Sequence, residues 1–309
     1  MKQIKAIAPA TVANVSCGFD VLGFAVAAPC DEVIVTLTAK PGIVVARITG
    51  DGGRLPTDSQ RNTASVAIQS LIQTLGYTGG VEVELIKKLP LGSGMGSSAA
   101  SAAAALVAIN QLLGNPVSRE ELVPHAMEAE RIACGSAHAD NVAPSILGGF
   151  VLIRECDPLD VVRVPLKAKL FATLVHPHIE LRTEDARRVL KPTVSRKDAI
   201  RQNGNVAGLM VGLMIADYEL ISRSLQDLIA EPVRSVFIPG FERMKQLAKD
   251  AGALGCGISG SGPTLYALSV SEEVGQRIGE VQASEFRSMN LASDIYVSEI
   301  NYQGATCVK

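Results

Sequence analysis

No charge of one sign predominates in this 309-residue sequence: 29 lysines and arginines stand against 31 aspartates and glutamates, a formal net charge of −2. That balance excludes a molecule drawn by its overall field to nucleic acid or to an anionic membrane. Cys-x-x-Cys pairs are absent as well. The six cysteines, Cys17, Cys30, Cys134, Cys156, Cys256 and Cys307, stand far apart. Neither a zinc ribbon nor a dithiol redox centre is encoded, and reduced thiols in a cytosol are expected. Long hydrophobic runs are missing too. The longest uncharged ones, 99–109 and 206–216, fall short of the roughly 17–25 residues that span a bilayer. Near the start, Pro9 and Asn14 interrupt any apolar segment around Ala8-Pro9-Ala10. No secretory leader is read there, and a cytoplasmic location is expected.

What the chain does have is apolar mass, 47% of its residues against 19% charged. This excludes disorder, collagen and coiled coil, and supplies a sizeable core or two domains. Short β-branched runs predict strands over 4–7, 33–38, 43–48 and 81–86; in the last, Val81, Val83 and Leu85 alternate with Glu82 and Glu84 as one face buries. Helices are predicted over 62–75 and 97–113, and a third opens at the capping box Ser118-Arg119-Glu120-Glu121. Between 150 and 174 short strands return, broken by Pro158 and Pro165, which marks a domain junction and divides the chain into 1–167 and 168–309. Beyond it the pattern predicts helices over 184–190, 197–215, 218–229, 241–251 and 273–287, and strands over 264–268 and 295–300. No regular βαβ period appears, so an α+β fold of two layered domains fits better than a doubly wound sheet.

The run from Pro90 through Leu91, Gly92, Ser93, Gly94, Met95, Gly96, Ser97 and Ser98 lies between a predicted strand and a predicted helix. Its three glycines let backbone N–H groups turn against a ligand, and the helix start adds unpaired donors and a positive dipole end. The place suits a phosphate. It is not a Walker A loop, since no lysine follows Gly96, nor a G-x-G-x-x-G dinucleotide loop. An ordinary glycine-rich helix entry is the plain alternative for a bare G-x-G. Here the alanines at 99, 100, 102–105 and 108 add a buried helix behind the loop.

With this loop, the chain resembles the GHMP kinases, whose P-x-x-x-G-x-G-S-S-A signature is met from Pro90 to Ala99. The stretch 8–22, A-P-A-T-V-A-N-V-S-C-G-F-D-V-L, is similar to the N-terminal motif of that superfamily, and 255–263, G-C-G-I-S-G-S-G-P, to its C-terminal glycine-rich motif. The homoserine kinase branch is suggested by H-A-D-N-V-A-P at 138–144, L-R-T-E-D-A-R at 181–187 and D-L-I-A-E-P-V-R at 227–234. The resemblance implies a two-domain GHMP fold, with an N-terminal ATP-binding domain and the site between the domains. It also implies transfer of the γ-phosphoryl group of ATP to the hydroxyl of L-homoserine, magnesium as cofactor, and a homodimer.

Residue by residue, it implies Ser98 and Glu130 as magnesium ligands, Asp20 for the ammonium group and Asn14 placing the hydroxyl. Arg182 and Arg234 would grip the carboxylate, because a planar guanidinium matches it with two parallel bonds. His138 would line the same pocket. Asn62 would contact the adenine base or, equally, cap the helix it precedes. His176 and His178 have no acid or cysteine beside them in sequence and are read as strand-end residues. The first motif lacks the lysine of mevalonate kinases; Thr11 and its neighbours offer none. For the proton, the Asp-Asn dipeptide leaves Asp140 as a candidate base and Asn141 as an orienting amide with no dedicated base, the latter favoured. Alternatives to the homoserine reading are another acceptor such as L-threonine, or a non-catalytic metabolite sensor on the same scaffold.

Overall fold

The structure is a computed structural model describing residues 2–135 and 137–308. The first part of the chain runs β1 (Gln3–Ala13), β2 (Leu22–Thr38), β3 (Gly42–Thr49), α1 (Thr63–Leu75), β4 (Gly80–Ile86), α2 (Ser97–Leu112), α3 (Arg119–Cys134), α4 (Ala139–Leu147), β5 (Phe150–Cys156) and β6 (Leu159–Val164). The second runs β7 (Phe171–Pro177), α5 (Thr183–Arg188), α6 (Arg196–Ile215), α7 (Tyr218–Ser224), α8 (Glu231–Arg234), a 3-10 turn, α9 (Phe241–Asp250), β8 (Gly255–Ile258), β9 (Leu265–Ser269), α10 (Glu272–Ser288), β10 (Ser293–Glu299) and β11 (Thr306–Val308). Among the described residues no helix is long and apolar enough to cross a membrane.

Two sheets bear out the α+β expectation. The first has the order β11-β1-β2-β4-β3, with β5 on the leading part of β2 and β6 on β5. Its long strand β2 serves two partners in turn: residues 22–24 pair with β5 and 32–38 with β4. The last strand of the chain, β11, returns to this sheet against β1. Along β4 the period-two pattern holds, with Val81, Val83 and Leu85 buried because this face meets the helices. The alanine-rich α2 is buried nearly all round, between β1 and β2 on one side and α1, α3 and α4 on the other. Side chains no larger than a methyl group let those neighbours approach closely. The second sheet, β10-β7-β9-β8, is wholly antiparallel and carries α9 and α10.

An aromatic cluster joins the two parts. Phe24 of β2 stacks on Phe150 of β5 at 4.5 Å between centroids, and Tyr266 of β9 meets Phe24 edge-on at 6.2 Å. The Tyr266 hydroxyl shares a 2.6 Å hydrogen bond with Ser16, which ties the second sheet to the loop after β1. Several elements depart from expectation: α8, β8 and β11 are not among the predicted ones, and β2 runs well beyond 33–38. The helix predicted over 218–229 stops at Ser224, because the Asp227 carboxylate takes the N–H groups of Ile229, Ala230 and Glu231 and starts α8 instead. Helix α4 is not among the predicted helices; it is short and carries Pro144 inside it, which reads as a break in sequence. The described cysteines Cys17, Cys30, Cys156, Cys256 and Cys307 are free thiols; the Cys134 side chain lies outside the described residues.

Candidate active site

A cavity of about 500 Å³ is lined by residues from both parts of the chain. One end is the loop between β4 and α2. Gly92, Gly94 and Gly96 have φ of 63°, 78° and 68°, the left-handed region that favours glycine. A methyl group on Gly94 would lie 2.4 Å from the Ser259 carbonyl, and one on Gly96 2.1 Å from the Thr11 hydroxyl. Both approaches are made by distant motifs, so the three motifs read in the sequence meet here. Helix α2 begins without a side-chain cap, leaving its first amides for an anion. Of the loop, Leu91, Gly92, Ser93, Gly94, Gly96, Ser97 and Ser98 line the cavity. Met95 is fully buried beneath it, and Pro90 accepts a bond from the Ser93 hydroxyl.

Lys87 lies under the first turn of α2. Its ammonium donates to the Asp31 carboxylate, and at 2.8 Å to the Ser97 carbonyl and the Ser101 hydroxyl. Burial pulls the Lys87 pKa down and Asp31 opposes that pull. Asp31 also takes the N–H groups of Lys88 and Leu89 at 2.7 and 2.9 Å, so the pair braces the entry to the loop. Ser98 and the buried Glu130 both border the cavity. A hydroxyl and a single carboxylate fit a magnesium ion, which keeps several waters and takes its other ligands from phosphates.

The other end is built around a strained turn. Asn14, Val15, Ser16 and Asp20 all have positive φ, a conformation costing about 1–3 kcal/mol per non-glycine residue and typical of functional loops. The strain turns Asp20 toward two arginines. Arg187 grips the Asp20 carboxylate with two bonds, of 2.8 and 3.2 Å. Arg234, 3% exposed, is fixed by the carbonyls of Ala186 at 2.9 Å and Gly260 at 3.2 Å. Both guanidinium groups lie over the Phe19 ring, at 5.8 and 5.1 Å. Burial, then Arg187, pushes the Arg234 pKa down. His138 precedes α4 with Nδ1 3.8 Å from Asp20; burial lowers its pKa, Asp20 opposes that and Arg187 adds to it, which favours the neutral ring.

Asp140 and Asn141 open α4 and line the cavity. Burial first, and the neighbouring Asp20 second, push Asp140 from 3.8 up to about 7, while Arg187 opposes them. The Asn141 carbonyl oxygen accepts a 2.7 Å bond from the Thr11 hydroxyl. Among the described residues its amide nitrogen makes no side-chain bond that competes with a ligand.

Three expected residues stand differently. Arg182 does not line the cavity: its side chain is 76% exposed and paired with Asp185 at 3.0 Å. Arg187, one turn on along the inner face of α5 with Thr183, stands in the pocket instead. Asn14 lines the cavity, yet its amide donates to Gly260 at 2.8 Å and its carbonyl accepts from the Asp20 N–H at 3.0 Å. It holds the turn together. Asn62 caps α1 through the Ala64 N–H and donates to the Pro56 carbonyl while bordering the cavity. His176 ends β7 bonded to Thr264, and His178 pairs with Asp294, well separated in sequence.

Sequence reasoning missed Lys87, Thr183 and Arg187, which line the cavity. The signal for Lys87 was present: the inward positions 81, 83 and 85 continue to 87, and a lysine on a buried face needs a partner. Thr183 and Arg187 share one helical face by their spacing of four.

Comparison with known proteins agrees with this geometry. Residues 62–149 match the GHMP kinases N terminal domain and 198–286 the GHMP kinases C terminal domain. A homoserine kinase of Chlorobium phaeobacteroides is 50% identical, with all of both chains covered. The crystal structure of homoserine kinase from Cytophaga hutchinsonii superposes with a TM-score of 0.97 at 56% identity, covering 100% of this chain and 98% of that one. The crystal structure of L. major mevalonate kinase in complex with R-mevalonate shares the fold alone, with a TM-score of 0.70 at 16% identity and 97% and 96% of the two chains covered. With the three motifs gathered at one cavity and full-length relatives at half identity, this chain belongs to the homoserine kinases of the GHMP kinase family.

Proposed function

We propose that the chain transfers the γ-phosphoryl group of ATP to the hydroxyl of L-homoserine, giving O-phospho-L-homoserine for threonine synthesis in the cytoplasm. The observation that carries this reading is the Asp20, Arg187 and Arg234 group at one end of the cavity, facing a phosphate-type loop at the other. A zwitterion needs an anion for its ammonium and cations for its carboxylate, and that end offers both. Asp20 would leave its bond with Arg187 to share the ammonium, and Arg187 and Arg234 would take the carboxylate. Asn141 then donates to the hydroxyl oxygen, with Thr11 fixing which end of the amide points inward. The α2 amides offset phosphate charge from the chain's own side, with the Lys87–Asp31 pair bracing the loop entry beneath them. Ser98 and Glu130 would hold a magnesium ion, which when bound would supply further neutralisation of charge on the transferring group. The boundaries 1–167 and 168–309 are kept for the two domains, with β11 lent by the second to the first sheet.

The test is a coupled assay for ADP release with L-homoserine, L-threonine, mevalonate and galactose, with and without magnesium. Turnover of L-homoserine alone, dependent on the metal, is expected; preference for another acceptor, or nucleotide binding without turnover, would refute the reading. Within this reading, Ser98→Ala and Glu130→Gln should lower kcat more than they weaken ATP binding, since the metal offsets charge that grows toward the transition state. Near-normal kcat in Glu130→Gln at saturating magnesium would remove Glu130 from the metal site.

A further inference from the structure

An ion pair joins the two parts of the chain at the phosphate-loop end of the cavity. Arg54, between β3 and α1, donates at 2.8 Å to the carboxylate of Glu180, between β7 and α5, and both residues border the cavity. Neither belongs to a motif read in the sequence. The turn that carries Arg54 is built against the strand entering the loop. The Lys87 N–H donates to the Thr49 carbonyl at 2.8 Å, and a methyl group on Gly50 would lie 2.0 Å from the Lys87 carbonyl. The buried Asp51 takes the Leu55 N–H at 3.0 Å with its carboxylate, while its own carbonyl accepts from Arg54 Nε at 3.2 Å. One edge of the guanidinium is thereby fixed, and its other two nitrogens are left for an anion.

Glu180 is that anion, and it is held against the loop itself. The Leu181 N–H donates to the Gly92 carbonyl at 3.3 Å. A methyl group on Gly92 would meet Glu180 Cγ at 2.5 Å and Oε1 at 3.0 Å. A carboxylate of the chain therefore lies on the first glycine of a loop whose amides and helix start favour negative charge. Of the other cations at this end, Lys87 is committed to Asp31. Arg61 borders the cavity, but among the described residues no side-chain bond aims it at the loop.

We propose that Arg54 is a nucleotide-binding residue: when the polyphosphate of a nucleoside triphosphate enters, its guanidinium leaves Glu180 and pairs with a phosphate oxygen at the Gly92 edge of the loop. This rests on the nucleotide reading given above and adds to it a cation from outside the motifs. The exchange is favourable because the pair it breaks is weak. With side chains 54% and 53% exposed, an ion pair of this kind contributes little, whereas a phosphate offers a guanidinium two parallel charge-assisted bonds. Glu180 gives way, since its carboxylate would otherwise face the entering phosphates with like charge. The two partners therefore act on the nucleotide with opposite signs: Arg54 draws it in and Glu180 competes with it. A brace between the two parts of the chain would make no such distinction, because a brace is lost equally from either end.

Titration calorimetry of magnesium–ATP on the full chain, without homoserine, tests the assignment. Arg54→Ala should weaken ATP binding about tenfold, the effect of one charged hydrogen bond at a partly exposed site. Arg54→Lys should recover part of that loss. Glu180→Gln should bind ATP a few-fold more tightly, since Arg54 is then free beforehand and no carboxylate opposes the phosphates. Adding Arg54→Ala to Glu180→Gln should cost more than adding it to the wild type, because no pair has to be broken to make the phosphate contact. Both positions are exposed, and circular dichroism checks folding. Unchanged ATP affinity in Arg54→Ala, or single variants that weaken ATP alike with no further loss in the double, would overturn the proposal while leaving the nucleotide reading intact. A wild type that binds no ATP would overturn that reading and the proposal with it.

Discussion

Arg234→Ala is expected to lower kcat/KM for L-homoserine by tens- to thousands-fold, corresponding to about 2–5 kcal/mol for removing one partner of a desolvated charge pair. The size follows from the site. Arg234 is buried, held by two backbone carbonyls and stacked over Phe19, so its guanidinium is already ordered before the substrate arrives. A carboxylate entering the variant would be desolvated without its fork of donors. Arg234→Lys should recover only part of the loss, because an ammonium keeps the charge but not the two parallel bonds. Arg187→Ala should act in the same direction, though it also releases Asp20. Arg182→Ala, at an exposed side chain paired with Asp185, should leave homoserine kinetics near wild type. Nucleotide binding, measured by calorimetry without homoserine, should be unchanged in all of these. Normal kcat/KM in both Arg187→Ala and Arg234→Ala would dissolve the carboxylate clamp.

The choice between Arg182 and Arg187 shows where reading a sequence stops. Local patterns survive translation into structure: the alternation in β4, the alanine helix α2 and the Ser118 capping box all stand where they were expected. Such features are decided by neighbours a few residues away. The motif around 181–187 identifies the segment that enters the pocket, but which arginine turns inward depends on the start of α5. That start follows Arg182 itself, so Arg182 points away and Arg187, one turn later, points in. The strained turn at 14–20 is still less legible. Nothing in Asn-Val-Ser announces three consecutive positive φ values; they are imposed by the Gly260 carbonyl and by Tyr266, each about 250 residues away. The Thr11 to Asn141 bond, across 130 residues, is of the same kind. A motif names the residues; their partners come from packing.

That bond bears on the role proposed for Asn141, and with it on the fate of the proton. With its carbonyl oxygen turned to Thr11, Asn141 is placed to donate its N–H to the acceptor hydroxyl, and a side-chain amide takes no proton. On the proposed reading the proton then passes to the phosphoryl group itself. Asn141→Ala should therefore lower kcat on the order of a hundredfold, the loss typical when a reacting group is misplaced by about 1 Å. Thr11→Val, which frees the amide to rotate, should lower it less. Asp140→Asn should keep substantial kcat, whereas loss of a general base typically costs roughly a hundred- to ten-thousandfold. The pH dependence separates the two roles. A carboxyl held at about 7 beside Asp20 ionises more readily when an ammonium group arrives. Wild-type kcat/KM for homoserine should thus rise through pH 7 while kcat stays flat, and Asp140→Asn should abolish that rise. A base would instead place the same acidic limb in kcat. Stability supplies an independent check on the shift. A carboxyl whose folded pKa is raised from 3.8 to about 7 binds more protons folded than unfolded between those values, so its contribution is full below 3.8 and is lost as pH rises toward 7. Thermal melts of ligand-free protein should accordingly show Asp140→Asn gaining on the wild type between pH 4 and pH 8. A collapse of kcat in folded Asp140→Asn, with Asn141→Ala nearly normal, would make Asp140 the base and Asn141 a bystander.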